Sequence, residues 1–150
     1  MNNAISAPKV FDGTHFHEGV ALLCDGARII DLVSLNDVPS NFCSQENSNG
    51  ILAPGFIDWQ VNGGGGVLFN NDPSVEGLRR IVQGHRRGGT TSLMPTLVSD
   101  EFAIRKKAVS AVEDFLELGE HGVLGLHLEG PFFAQERRGT HNESLITDIS

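Results

Sequence analysis

Basic residues are scarce in this sequence. Its 11 Lys and Arg face 19 Asp and Glu, giving a net charge of −8 and a pI near 5.1. Surfaces that bind nucleic acid or anionic membranes need a basic patch, so neither partner is expected. Cysteine is scarcer still. Cys24 and Cys43 make no disulfide framework and show no C-x-x-C spacing, which fits a reducing, cytoplasmic setting. The first residues, Met1 to Ser6, lack a basic segment followed by an apolar run, so no signal peptide is expected. No stretch approaches the length of a membrane span. Two nucleotide-binding signatures are also missing. In the run Gly63 to Gly66 the third glycine of a dinucleotide fingerprint would fall on Leu68 or Phe69, and no Gly-Lys-Ser/Thr follows to make a phosphate loop.

What the sequence has is glycine and pattern. Of its 150 residues 18 are Gly, 39% are hydrophobic and 20% are charged, a globular composition of a size for one ordinary domain. Residues 9–11, 20–24 and 28–33 are short apolar runs, with Asp25-Gly26 between the last two. An Asp-Gly step in that position predicts a β-hairpin. Residues 34–50, rich in Asn, Ser, Pro and Asp, read as a surface excursion. Residues 1–52 are therefore expected to form a small antiparallel β domain. His15 and His17 follow Asp12-Gly13-Thr14, a turn context that reads as a surface loop rather than a metal site.

From Ile51 onward the pattern changes. Residues 55–62 read as a strand with Ile57, Trp59 and Val61 on one face and Asp58, Gln60 and Asn62 on the other. A polar face on an interior strand makes sense where it lines a barrel beside a site; ordinary polar packing inside a barrel is the competing reading. The four glycines that follow allow close backbone approach. Next comes a helix, with Asp72 as cap, Pro73 at its first position and Glu76 in its first turn. Val75, Leu78, Ile81, Val82 and His85 make its stripe, and Arg86-Arg87 and Gly88 close it. Residues 90–96 read as a second strand. Asp100 caps a second helix with a buried stripe of Ile104, Ala108, Ala111, Val112 and Phe115, ended by Gly119. A third strand covers residues 123–129, and residues 132–150 read as a long polar loop. The period of about 30 residues is that of a βα unit, and such units wind into a parallel sheet.

The third strand carries the most chemistry. In it Gly125, His127 and Glu129 share one face, while Leu124, Leu126 and Leu128 share the other and call for helices against them. Gly130 and Pro131 stop the strand and leave Glu129 at its C-terminal tip, where parallel α/β enzymes place their reactive groups. A structural glutamate paired with an arginine would occupy the same place.

Several of these stretches together resemble a known family. Leu52-Ala53-Pro54-Gly55-Phe56-Ile57-Asp58 is similar to the first barrel strand of the amidohydrolase superfamily. More narrowly, Gln60-Val61-Asn62-Gly63-Gly64, Thr96-Leu97-Val98, Gly125-Leu126-His127-Leu128-Glu129-Gly130-Pro131 and Gly139-Thr140-His141-Asn142 resemble the N-acetylglucosamine-6-phosphate deacetylase family, with the spacing between motifs kept. The resemblance implies an α/β fold, a (β/α)8 barrel of amidohydrolase type, with residues 53–150 as its first three βα units. It also implies that residues 1–52 are the N-terminal part of a small β-sandwich domain.

The implied reaction is hydrolysis of the acetamide of N-acetylglucosamine 6-phosphate to acetate and glucosamine 6-phosphate. One divalent metal ion, zinc or similar, activates the water, and an Asp acts as base and then as acid. The resemblance makes Glu129 a metal ligand, and places Thr140 and His141 where the family binds its small-molecule amino sugar phosphate. Many amidohydrolases carry His-x-His where this chain has Gln60 and Asn62. Neutral amides are poor ligands for zinc-like ions, so a single-metal site is expected, with Gln60 near the metal or its water and with Gln60 and Asn62 among the substrate-binding residues. The family's two His ligands and its catalytic Asp find no counterpart here, so no catalytic base is assigned. The chain is expected to be the front part of a longer enzyme, inactive alone, and the family implies a homodimer. Two other classes remain open. An amidohydrolase acting on a cyclic amide would be expected to show His at positions 60 and 62. A truncated, non-catalytic remnant would bind sugar phosphate or a partner through its open sheet edge.

Overall fold

The structure, a computed structural model, describes residues 1–147. Residues 148–150, the end of the expected polar loop, lie outside the described residues. The chain forms two compact units, Met1–Pro54 and Gly55–Ser150.

The first unit is all β. In chain order its strands are β1 (Asn2–Ser6), β2 (Lys9–Phe11), β3 (Phe16–His17), β4 (Val20–Asp25), β5 (Arg28–Ser34), β6 (Cys43–Glu46) and β7 (Ile51–Leu52). They make a four-stranded sheet, β5-β4-β1-β6, and a three-stranded sheet, β3-β2-β7. The Asp25-Gly26 hairpin forms as its residues dictate: β4 and β5 pair antiparallel and Gly26 takes φ 57°. The surface excursion hides a strand. In β6, Cys43-Ser44-Gln45-Glu46 pairs parallel with β1 although all four residues are exposed. Such an edge strand has no apolar face and so leaves no alternation to detect, and its polar, charged side chains suit an exposed edge. Ala4, Ala21 and Leu23 form the small core of this sheet, with Val33, Val38 and Phe42 packed against it. An apolar cavity of ≈ 320 Å³ lies between Leu22, Ile29 and Leu32 of one sheet and Val10, Phe11 and Leu52 of the other. His15 and His17 lie in a turn closed by Asp12. Its carboxylate accepts from the Thr14 and His15 N–H groups and from His17 Nε2, each at 2.7 Å. Those bonds, the His15 N–H foremost, hold the Asp12 carboxyl well below the usual carboxylate range.

The second unit alternates strand and helix: β8 (Phe56–Val61), a short hairpin of β9 (Gly63–Gly64) and β10 (Val67–Leu68), α1 (Val75–Arg86), β11 (Thr90–Val98), α2 (Phe102–Glu117) and β12 (His127–Glu129). The sheet order is β12-β11-β8, parallel throughout, so the 30-residue period does mark βα units. Leu78, Ile81 and Val82 of α1 and Ala108, Ala111, Val112 and Phe115 of α2 meet Leu93 and Leu97 of β11 in one core, joined by Val61, Phe69 and Val123. The helix ends differ in detail from expectation. Ser74, not Asp72, caps α1, its Oγ accepting from the Gly77 N–H at 3.0 Å. Asp72 instead accepts from Ser74 Oγ and Arg80, and Gly89 rather than Gly88 takes the left-handed conformation after the helix, at φ 92°. Asp100 does not cap α2. One of its oxygens accepts from the Glu101 N–H and the other from the Asn70 amide, each at 2.8 Å.

The glycine run serves close approach. A Cβ on Gly65 would stand 2.4 Å from the Arg80 carbonyl, and one on Gly84 would stand 2.5 Å from the Gly65 nitrogen. The hairpin thus lies directly on α1, and the ring of His85 closes the contact with a bond of 2.9 Å between Nε2 and the Gly63 carbonyl.

The third strand is shorter than its sequence suggests. Leu93 exchanges backbone bonds with Gly122 and Leu124 at 2.8 and 2.9 Å, and pairing then resumes only at Thr96↔His127. Alternate residues of a strand present the same edge, so the next donor toward this side would be Pro95, which has no N–H. The ladder is interrupted opposite it. Leu126 packs on the core, but Leu124 and Leu128 are 56% and 51% exposed, so the leucine face is not the buried face expected of it. In β8, at the other edge of the sheet, Ile57 and Trp59 are likewise exposed.

Candidate active site

The C-terminal ends of β8, β11 and β12 bring together Gln60, Ser99 and Glu129. Val98↔Glu129 is the last matched pair of β11 and β12, so Glu129 stands at the tip of its strand with 30% of its side chain exposed. Gln60 Nε2 donates to Glu129 Oε2 across 3.3 Å. His141 returns from the loop and places Nε2 3.3 Å from Glu129 Oε1. A carboxylate only accepts, so His141 Nε2 carries the proton of that bond. Its Nδ1 lies 3.0 Å from Ser99 Oγ, whose hydroxyl also reaches the Glu129 carbonyl at 3.4 Å.

The His141 side chain is 7% exposed. The Phe133 ring packs on it at 4.4 Å, and its backbone is bonded to Arg138 in both directions. Below the site Asn70 acts as a substitute strand. Its side-chain oxygen accepts from the Val98 N–H and its amide donates to the Val98 carbonyl, both at 3.1 Å, which fixes the end of β11.

Of the residues singled out from sequence, Glu129, Gln60 and His141 therefore meet. Asn62 and Thr140 do not join them: neither side chain bonds to any of the three. Asn62 is half-buried, and its carbonyl accepts from the Phe69 N–H at 2.9 Å; Thr140 is exposed. Among the described residues the one ion-pair partner of Glu129 is His141, and no arginine reaches it. Ser99, Phe133 and Asn70 were not legible as contributors. Ser99 directly follows the strand motif Thr96-Leu97-Val98, and that position was the available signal.

Gln60 reaches Glu129 because of an irregularity in β8. Asp58 matches Leu93 and Val61 matches Pro95, so Trp59 and Gln60 together stand opposite Met94 alone. This is a β-bulge. Its central peptide is bonded by side chains at both ends: the Trp59 carbonyl accepts from His127 Nδ1 at 2.9 Å, and the Gln60 N–H donates to Asp58 Oδ1 at 3.1 Å.

A divalent ion of the kind the motifs imply needs about three or four protein donors. Among the described residues no group of three or more His, Cys, Asp or Glu could hold one. Glu129 fits as a single anionic ligand, its oxygens engaged only by an amide and an imidazole; the described residues alone do not complete a site.

A parallel α/β unit with a carboxylate at a strand tip is the arrangement of the amidohydrolase class that the motifs resemble. Its particular relatives are deacetylases of N-acetylated amino sugar phosphates. The chain is 43% identical over 103 residues to an N-acetylgalactosamine-6-phosphate deacetylase of Shewanella sp. (strain ANA-3), covering 69% of this chain and 26% of that protein. It is 32% identical over 130 residues to the N-acetylglucosamine-6-phosphate deacetylase of Haemophilus influenzae, covering 87% of this chain and 34% of that one. The crystal structure of N-acetylglucosamine-6-phosphate deacetylase from Pasteurella multocida superposes on the whole chain with a TM-score of 0.93 at 35% identity, over 40% of its own length. The chain thus resembles a portion, consistent with the N-terminal portion, of the N-acetylglucosamine-6-phosphate deacetylases. It spans about a quarter to two fifths of the length of these relatives. No protein-family model matches the sequence.

Proposed function

We propose that this chain forms part of a hydrolase that removes the acetyl group from N-acetylglucosamine 6-phosphate, built as a (β/α)8 barrel with a small β-sandwich domain and acting as a homodimer. The observation that carries the reading is the Glu129 carboxylate at a parallel strand tip, bonded to Gln60 and His141 rather than to an arginine. In this reading Glu129 is the chain's one ligand to a single divalent ion, zinc or similar. Such an ion, when bound, lowers the pKa of its water and polarises the acetamide carbonyl. His141 faces the substrate with its ring held by Ser99 and Phe133, Gln60 lies beside the ion, and Asn62 and Thr140 contribute at the rim. One donor carboxylate cannot hold an ion tightly, so the 150 residues alone are expected to release no acetate.

The identity to the Shewanella protein favours a second substrate, the 4-epimer N-acetylgalactosamine 6-phosphate. The test replaces the matching part of the Pasteurella multocida enzyme with these residues and measures acetate release from both sugar phosphates, with and without chelator. The chimera is expected to be active and chelator-sensitive. Its Glu129→Gln form is expected to lose more than the roughly 10–100-fold that second-sphere changes cost at metal sites. A folded chimera that is indifferent to Glu129→Gln would overturn the assignment, and the preferred epimer decides between the two substrates.

A further inference from the structure

We propose that His127 is a positioning residue: with Asp58 it locks the Trp59–Gln60 peptide in its bulge and thereby aims the Gln60 amide at Glu129. The register carries the argument. Leu93 and Pro95 are two residues apart and both are buried in the core. Their partners in β8, Asp58 and Val61, are three apart. An opposite shift precedes it, with an extra residue in β11 between Thr90↔Phe56 and Ser92↔Ile57; were that register carried on without the extra residue in β8, Gln60 would stand opposite Pro95 and point into the core, because a slip of one residue exchanges the two faces of a strand. With it Val61 takes that place, 3% exposed and packed in the core, and Gln60 emerges on the other face, 3.3 Å from Glu129.

A bulge leaves backbone groups out of the ladder, and these must find other partners. Here both ends of one peptide find side chains. The Asp58 carboxylate takes the Gln60 N–H in a local turn of the kind Asp favours. His127, 68 residues along the chain, takes the Trp59 carbonyl. A carbonyl only accepts, so Nδ1 carries the proton, and the tautomer of His127 is fixed by the fold. His127 and Glu129 lie two apart on β12 and share a face. The strand that presents the carboxylate therefore also fixes the backbone that presents its amide partner. In the sequence an imidazole stands two residues from an acid; in the fold that imidazole has a target on another strand.

The inference deepens the proposed site and rests on Gln60 belonging to it, but its test does not need activity. Long-range 1H–15N spectra of the protein should show the His127 ring protonated at Nδ1. Exchange of the Gln60 backbone amide should quicken about tenfold or more in His127→Leu, the scale of one lost hydrogen bond at a locally opening segment, and the Gln60 side-chain amide resonances should move. His127→Asn, whose amide can donate from nearly the same place as Nδ1, should restore both. An Nε2-protonated ring in the unsubstituted protein would overturn the proposal without any variant, as would a Gln60 amide indifferent to His127→Leu. If the clamp is seen while the chimera releases no acetate, the deacetylase reading fails and this inference stands.

Discussion

The two units build their cores differently. In the first, the residues buried beneath the four-stranded sheet are Ala4, Ala21 and Leu23, and an apolar cavity lies between its two sheets. In the second, twelve buried residues from two strands, two helices and the connecting segments interlock, with Phe69, Leu78, Ile81 and Ala108 fully buried and Phe115 1% exposed. The polar clusters follow the same contrast. Asp12, His15 and His17 are tied to each other within one turn. Gln60, Ser99, Glu129 and His141 come from separate elements and bond to one another above the end of the sheet. Residues that meet from distant parts of the chain require a rigid base, and the second unit supplies one.

That contrast can be broken most directly in the cores. Phe115→Ala should cost about 3–5 kcal/mol and Leu23→Ala only about 2 kcal/mol, because small, partly exposed neighbours can collapse around the second but not the first. The single tryptophan, Trp59, lies in the second unit, so its fluorescence during urea unfolding follows the first substitution, while circular dichroism of the β signal follows the second. Equal losses would erase the difference between the units. Asn70→Ala is the next test. It strips the Val98 N–H and carbonyl of their partners and should cost about 1–3 kcal/mol, seen as faster amide exchange at Val98 and a displaced Ser99. An unchanged Val98 amide would mean that the strand end needs no support. The smallest effect is expected at Asp12, in the self-contained turn of the first unit. Its folded pKa is depressed, so its contribution to stability is fully present above the ordinary value of 3.8 and is lost as pH falls below it. An NMR titration should show the Thr14 and His15 amides moving only in that acid range, with no such change in Asp12→Asn.

Much of the second unit was legible because periodicity is a strong signal where both faces of an element differ. The stripes of α1 and α2 and the alternation of strands with helices follow from it, as does the tip position of Glu129. The Asp25-Gly26 hairpin was legible from turn chemistry. Strand β6 was not, since a polar edge strand has no periodicity. The break in the third strand was readable in principle from Pro95, but only once Pro95 is known to lie opposite residues 125–126; sequence alone does not say which strand lies beside which. The same holds for the bulge. A slip in register belongs to a pair of strands, and neither strand records it by itself. For that reason Gln60 and Glu129 could be named as site residues while His127, Asp58 and Ser99, which hold them and His141 in place, could not.

The central claim is that an ion-seeking carboxylate sits at the end of β12 with Gln60 and His141 around it. Titrating Mn²⁺ into the 15N-labelled protein tests it most directly, because paramagnetic broadening marks the residues nearest even a weakly held ion. The account predicts that the Glu129 amide, the Gln60 side-chain amide and the His141 ring broaden first, and that Glu129→Gln abolishes the effect. Broadening that begins instead at Asp12, His15 and His17, with the strand ends untouched, would contradict it.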